Sequence, residues 1–340
     1  MKAAIVSKYN KIGIKEIPKP KIQNEEVLIK VKFASICGSD IHLFKGELST
    51  AKIPVVLGHE ICGEIAEISS KANTHLKIND TVVVQPYISC EKCEMCSQGK
   101  NNICENLKIL GINEQGGFAE YVKAPINRVH RLPKEIDPRL GALAEPLAVA
   151  VHDVNRSNIK IGQSVFIIGG GPIGLLIALI CKLNGAGQIV ISEVNEYRLN
   201  FAEKLGFRTI NPLETDSTKE ILNFSNEKGF DVVFEASGTE QGADLMVKQA
   251  KAGGVIIVVG MPKNPYPIDI MKCDIKELDI RGCRLHSQGD FSTAVNIIRN
   301  GEINNQLLKF ITKVFPLDEI ENVFKFILKN NEYIKILVKI

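Results

Sequence analysis

The sequence predicts an α/β protein: a strand-rich first part followed by a parallel, doubly wound sheet of the nucleotide-binding kind. Over the first 150 residues, short β-branched runs are broken repeatedly by Pro, Gly and Asn, as in an irregular β domain. Further on, apolar strands alternate with helix-length runs across short breaks, which is the pattern of a parallel sheet covered by helices. Where the first of those strands meets its helix stands a glycine-rich turn, Gly169-Gly170-Gly171-Pro172-Ile173-Gly174.

Length and charge set the frame. At about 150 residues per domain, a chain of 340 residues has room for two cores. The apolar and charged fractions, 45% and 24%, are ordinary for a globular protein and exclude a disordered or fibrous chain. Lys and Arg exceed Asp and Glu by 42 to 39, so the net charge of +3 predicts neither nucleic acid nor a membrane surface as partner. The opening MKAAIVSKYN lacks the apolar core of a signal peptide, and the expected location is the cytoplasm. The uncharged run Ile161–Cys181 is long enough to cross a bilayer. Gly169, Gly170, Gly171 and Pro172 at its centre break a helix there, so strand, loop and helix are expected instead.

In order, strands are expected at Ala3–Val6, Glu26–Phe33, Gly63–Ile68 and Thr81–Val84; Glu26–Phe33 alternates polar and apolar residues as a half-buried strand does. The second part reads as strand Ser164–Ile168, helix Pro172–Asn184, strand Gln188–Ser192 and helix Glu196–Leu205 stopped by Gly206. Strands Asp231–Glu235 and Val255–Val259 follow, with Gln241–Lys251 helical between them. Asp290–Arg299 and Leu317–Lys329 have the spacing of amphipathic helices, and Ile334–Ile340 reads as a closing strand. The domains are therefore expected at 1–150, 151–280 and 281–340, the last being a return segment.

Nine cysteines, an odd number, argue against a disulfide framework. Four of them, Cys90, Cys93, Cys96 and Cys104, fall in CEKCEMCSQGKNNIC. Four thiolates supply a closed tetrahedral shell with no open position, which predicts structural zinc. An iron–sulfur cluster of the bacterial ferredoxin kind starts with the same two spacings but needs a three-residue gap and a proline. Here the last gap is seven residues and no proline follows.

A second, dispersed set consists of Cys37-Gly-Ser39-Asp-Ile-His42, Gly58-His59-Glu60 and Glu145-Pro146. Together it offers a thiolate, an imidazole and two carboxylates, enough for a catalytic zinc that takes about three protein ligands and keeps one exchangeable position. In the glycine turn, Gly169 permits the tight bend, Gly171 the approach of a pyrophosphate and Gly174 the packing of helix on strand, while the helix N-terminus offers N–H groups to phosphate. Glu193, at the end of the next strand, suits the adenosine ribose hydroxyls and repels a 2′-phosphate, which predicts NAD; the nearby Arg198 offsets part of that repulsion.

With these motifs, and with Gly116-Gly-Phe-Ala-Glu-Tyr121, the chain resembles the zinc-dependent medium-chain alcohol and polyol dehydrogenases over essentially its full length. Within them it is most similar to the sorbitol, threonine and sugar-acid branch, the last including L-galactonate and L-gulonate 5-dehydrogenases. The resemblance implies a GroES-like catalytic domain and a Rossmann domain with the active site in the cleft between them, and one catalytic and one structural Zn2+ per chain. It implies that Cys37, His59 and Glu60 ligate the catalytic metal and that Glu145 does so directly or through water. It further implies that Ser39 and His42 form a proton relay and that Gly169, Gly171, Pro172, Ile173, Gly174, Glu193 and Arg198 hold NAD.

Arg284 takes the place of a substrate-contacting arginine, and Arg281 and His286 add cations beside it. Where the sorbitol enzymes carry a tyrosine after the relay histidine, this chain has Leu43. These features favour a sugar acid as the small-molecule substrate, oxidised at C5, with polyols, 2,3-butanediol and threonine as alternatives. A binding protein that had lost its activity would lack part of the Cys37, Ser39, His59 and Glu60 set, which is complete here. The resemblance also implies a homo-oligomer.

Overall fold

The computed structural model describes every residue except 49, 215, 216, 226 and 263, and every side chain except those and 217–219 and 222. The chain divides into two compact units, Met1–Ala148 with Ser287–Ile340, and Val149–His286. The first boundary lies close to the one expected at 150; the second falls at 286 rather than 280.

The first unit is built on a seven-stranded sheet. Its order runs Val129–Arg131, Thr81–Val84, Glu60–Ile68, Glu26–Ser35, Lys335–Lys339, Ile311–Pro316, with Tyr121–Pro125 also paired to Glu26–Ser35. The central strand Glu26–Ser35 buries Val27, Leu28, Ile29, Val31 and Ala34 completely or nearly so. On one side Glu60–Ile68 runs antiparallel to it with Ser35 opposite Glu60. On the other, Lys335–Lys339 runs antiparallel with Ser35 opposite Leu337. The return segment thus places its last strand beside the chain that leads into Cys37, and Ile36 donates its N–H to the Ile336 carbonyl at 3.0 Å.

The second unit holds a six-stranded sheet in which every neighbouring pair is parallel. The order Arg208–Ile210, Gln188–Ser192, Ser164–Ile168, Phe230–Glu235, Ala250–Val258, Asp279–Gly282 is 3-2-1-4-5-6 in chain order, with the topological switch between the first and fourth strands. Phe166 and Phe230 stack at 5.0 Å in its core, with Val190, Val233 and Ile256 around them. The uncharged run resolves into strand Ser164–Ile168 and helix Pro172–Leu183, and among the described residues no helix is long and apolar enough to cross a membrane.

One helix ends before it is expected to. The helix expected to reach Lys251 stops at Gln249, and a strand starts at Ala250. Lys276 explains the stop: its Nζ donates to the carbonyls of Val247, Lys248 and Ala250 at 3.1, 3.0 and 2.7 Å. A cation placed on the last carbonyls of a helix satisfies acceptors that a further turn would otherwise have filled.

The glycine turn leaves no room for a side chain at its last position. A Cβ on Gly174 would stand 1.9 Å from the Gly169 carbonyl oxygen. Gly174→Ala is therefore expected to force the helix off the strand at a cost of about 1–3 kcal/mol and to weaken dinucleotide binding. Denaturant unfolding and dinucleotide titration check both; a variant of native stability and affinity would contradict the packing role.

Candidate active site

Cys37 ends the approach from the central strand and starts the helix Gly38–Lys45. Gly58, with φ of +90°, turns the chain so that His59 leads into the strand that begins at Glu60; a Cβ there would lie 2.7 Å from the Phe118 ring. One ligand atom from each of Cys37, His59 and Glu60 falls within 4.8 Å of the others. His59 and Glu60 are buried. His59 Nδ1 and Glu60 Oε2 have no hydrogen-bond partner. An orphaned carboxylate oxygen on Glu60, beside a thiol and an imidazole, fits a bound cation that would satisfy it.

Asp40 braces this set. Its Oδ2 accepts the Cys37 N–H at 2.9 Å, its Oδ1 accepts the Gly58 N–H at 3.3 Å, and the same Oδ1 stands 3.6 Å from His59 Nδ1. Lys335 Nζ donates to Glu60 Oε1 at 2.6 Å and to the Ile36 carbonyl at 3.0 Å. Neither residue follows from a motif. The available signals were a carboxylate three residues into a helix led by Cys37, and a lysine flanked by Ile334 and Ile336 in the closing strand.

The electrostatics show a crowd of negative charge. Burial pushes the Glu145 carboxyl up to about 7, with Glu60 and Asp40 adding to the rise and His59 and Lys335 opposing it. Burial alone would lower the His59 imidazole, but the Asp40 carboxylate and Cys37 more than offset it and hold it well above its ordinary value. Protons retained on such groups mark charge that a divalent cation would neutralise, releasing them as it binds. Glu145 is buried in the first turn of its helix, but the compact group of three does not include it.

Ser39 Oγ lies 3.5 Å from His59 Nε2. The His42 side chain is 39% exposed, and its Nδ1 sits 2.7 Å from Glu47 Oε2. Leu43 has no accessible surface.

The four cysteines converge as a second group, again within 4.8 Å. The Cys93 sulfur is 3.5 Å from that of Cys96 and 3.9 Å from that of Cys104. Four sulfurs about 2.3 Å from a tetrahedral zinc stand about 3.8 Å apart, so the cluster fits the metal. Backbone N–H groups of Lys92 and Cys93 pull Cys90 down to about 6, whereas desolvation and the neighbouring thiols push Cys96 up to about 12. Buried Arg128 anchors the loop, donating to Gln85 Oε1, Ser89 Oγ and Glu91 Oε1 at 3.2, 2.9 and 2.7 Å.

In the second unit, helix Pro172–Leu183 starts with Gly171 at its N-cap and Pro172, Ile173 and Gly174 in its first turn. Glu193 is tied to that turn: Oε2 accepts the Gly170 N–H at 2.8 Å, and Oε1 accepts from Val194 and Asn195 at 2.8 and 2.9 Å. Arg198 NH1 lies 3.8 Å from Glu193 Oε2, and its buried Nε has no partner. The expected group of cations at Arg281, Arg284 and His286 does not hold together as a trio. Arg281 is taken by Asp279 and the Arg156 carbonyl, each at 2.5 Å. His286 has no accessible surface, and Arg284 is exposed.

Cys93→Ala should reduce bound zinc from two per chain to one. It should destabilise the fold on the order of 4 kcal/mol or more, as loss of a structural metal does. Metal analysis and thermal unfolding check this, and a stable variant that keeps both ions would contradict the structural role.

Comparison with known proteins agrees with this geometry. Residues 23–134 match the alcohol dehydrogenase GroES-like domain, and residues 172–300 match the zinc-binding dehydrogenase model. A 2-dehydro-3-deoxy-L-galactonate 5-dehydrogenase of Pseudoalteromonas atlantica is 37% identical over 318 residues, covering 93% of this chain and 92% of that protein. An L-threonine 3-dehydrogenase of Caldanaerobacter subterraneus is 36% identical over 96% of this chain and 95% of its own. The crystal structure of a zinc-binding dehydrogenase of Sinorhizobium meliloti bound to NADP superposes with a TM-score of 0.93 at 32% identity, covering 100% of this chain and 99% of that one. A GroES-like domain and a Rossmann-like parallel sheet therefore make up this chain, which belongs to the zinc-dependent medium-chain dehydrogenases, NAD(P)-dependent oxidoreductases acting on CH–OH donors.

Proposed function

We propose that the protein oxidises the secondary C5 hydroxyl of a sugar acid of the L-galactonate or L-gulonate type and passes the hydride to NAD. The observation that carries this reading is the convergence of half-buried Cys37 with buried His59 and Glu60 in a chain 37% identical to a dehydrogenase whose name places its chemistry at C5 of a sugar acid. In this reading the trio holds the catalytic zinc, with Glu145 beside it, and Cys90, Cys93, Cys96 and Cys104 hold the structural one. The bound metal supplies Lewis acidity at the substrate hydroxyl.

The chain's own residues do the rest. Ser39 takes the hydroxyl proton as it gives its own to the relay toward His42, and its 3.5 Å approach to His59 places its hydroxyl beside the trio. His42, partly exposed and paired with Glu47, delivers that proton to solvent. Gly169, Gly171, Pro172, Ile173 and Gly174 carry the pyrophosphate, Glu193 meets the ribose, and Arg198 lies alongside. Arg284 is the guanidinium assigned to the substrate carboxylate, as the resemblance to the sorbitol enzymes suggests, its exposed position leaving it open to solvent. The burial of Leu43 leaves no polar contact there for a neutral polyol.

A threonine substrate is the second reading, favoured by the 36% identity to an L-threonine 3-dehydrogenase. A reducing compartment, the cytoplasm, suits nine cysteines that are all free in the structure. Assembly as a homo-oligomer is the expectation for sedimentation to test.

An NAD-reduction screen over hexonates, 2-dehydro-3-deoxy hexonates, hexitols, 2,3-butanediol and threonine tests the substrate. The expected outcome is the highest kcat/KM on a sugar acid, at least tenfold above any neutral polyol. Preference for threonine or a hexitol would overturn the assignment. Glu193→Gln removes the charge and keeps an acceptor for the glycine turn. It should lower the NAD over NADP preference at least tenfold, and an unchanged ratio would refute the role given to Glu193.

A further inference from the structure

Lys335 and Glu60 form a fully enclosed ion pair from segments 275 residues apart, with side chains only 5% and 1% exposed. Lysine is almost never fully buried unless paired. An enclosed ion pair is weak as a stabilising device, because an apolar replacement of similar size often does as well. Its cost here points to a role other than stability, and the division of labour within the carboxylate shows which. Oε1 is committed to the ammonium at 2.6 Å, while Oε2 is buried and has no partner.

The ammonium is itself pinned. It donates to the Ile36 carbonyl at 3.0 Å, and its strand is fixed by the register that puts Leu337 opposite Ser35. The Glu60 side chain is therefore held by an anchor that cannot follow it if it moves.

Resting on the assignment of Cys37, His59 and Glu60 to the catalytic metal, we propose that Lys335 is a positioning residue. It holds back one oxygen of Glu60, so that the carboxylate offers only Oε2 to the metal and one coordination position stays open for substrate. Carboxylates bind metal ions through one oxygen or two. A catalytic zinc works with three protein ligands and an exchangeable fourth position. Without the anchor, both oxygens of Glu60 can turn to the ion and crowd that position. Lys335 touches neither substrate nor cofactor in this scheme; it acts through Glu60.

The test uses the full chain with cobalt replacing zinc, read as the difference in visible absorption against Cys37→Ala, which cancels the four-cysteine loop. Lys335→Met removes the anchor and keeps the side-chain volume; Lys335→Gln keeps one donor for the Ile36 carbonyl and serves in its place if the Met variant does not fold. The anchor-free variant should still bind the metal at the Cys37 site. Its cobalt difference band should fall to less than half as the coordination number rises, and kcat should fall at least tenfold with KM for NAD changed less than twofold. Lys335→Arg should recover most of the band and of the turnover.

A native spectrum and native kcat without the lysine would overturn the proposal. So would loss of the metal from that site, since it would make Lys335 a structural support. If the cobalt spectrum of the unmodified chain survives Cys37→Ala, the metal assignment itself fails; if Cys37→Ala abolishes the difference band and the Lys335 variants do not alter it, only the role of Lys335 fails.

Discussion

The register of strand Glu26–Ser35 against its two neighbours decides what the first unit can do. Ser35 lies opposite Glu60 on one side and Leu337 on the other, so residues far apart in sequence form one row across three strands. Cys37 follows two residues later, and Lys335 stands two residues before Leu337 on the same strand face. A slip of one residue in either pairing would turn an entire set of side chains to the opposite face. Glu60 would then lose its ammonium, or the thiol its imidazole. Both faces of Glu26–Ser35 and of the closing strand are packed, with Val27, Leu28, Leu337 and Val338 all without accessible surface, and they oppose such a slip because it would force side chains of the wrong shape into filled positions. Core packing thus fixes the ligand geometry.

The two candidate metal-binding groups are held in different ways. In the four-cysteine loop all ligands come from one short segment, and backbone N–H groups and buried Arg128 hold it in place. Four sulfurs close the shell and leave nothing for a substrate. The dispersed trio has one thiol, one imidazole and one carboxylate, each braced by a neighbour that is not a ligand: Asp40 for the first two, Lys335 for the third. Bracing from outside allows an incomplete shell to keep its shape.

That difference governs what was legible in the sequence. The loop was readable because its spacing is local, and the glycine turn because strand, turn and helix adjoin it directly. Cys37, His59 and Glu60 were readable as motifs through a family resemblance, with no spacing rule to join them. Lys335 was not, because the partner of a strand residue depends on sheet register, which no periodicity in the closing strand specifies. Asp40 was passed over for the same reason: its carboxylate matters only once Gly58 has been folded against it. The cation trio at 281–286 failed differently. Charge proximity in sequence was read as availability, while Arg281 had Asp279 two residues away and the Arg156 carbonyl within reach. The early end of the helix at Gln249 likewise depended on Lys276, beyond the reach of local propensity.

In the proposed reading Glu193 combines anchoring with selectivity. A carboxylate has about four acceptor sites, and here three are taken by the N–H groups of Gly170, Val194 and Asn195. Hydrogen-bonding capacity toward a ribose is therefore nearly spent, and the charge remains. An anchored anion cannot swing aside to accommodate a phosphate, so its repulsion acts at full strength on whatever enters. Arg198, 3.8 Å away, sets the opposing field. On that reading, cofactor preference follows from the balance between an anchored anion and a neighbouring guanidinium.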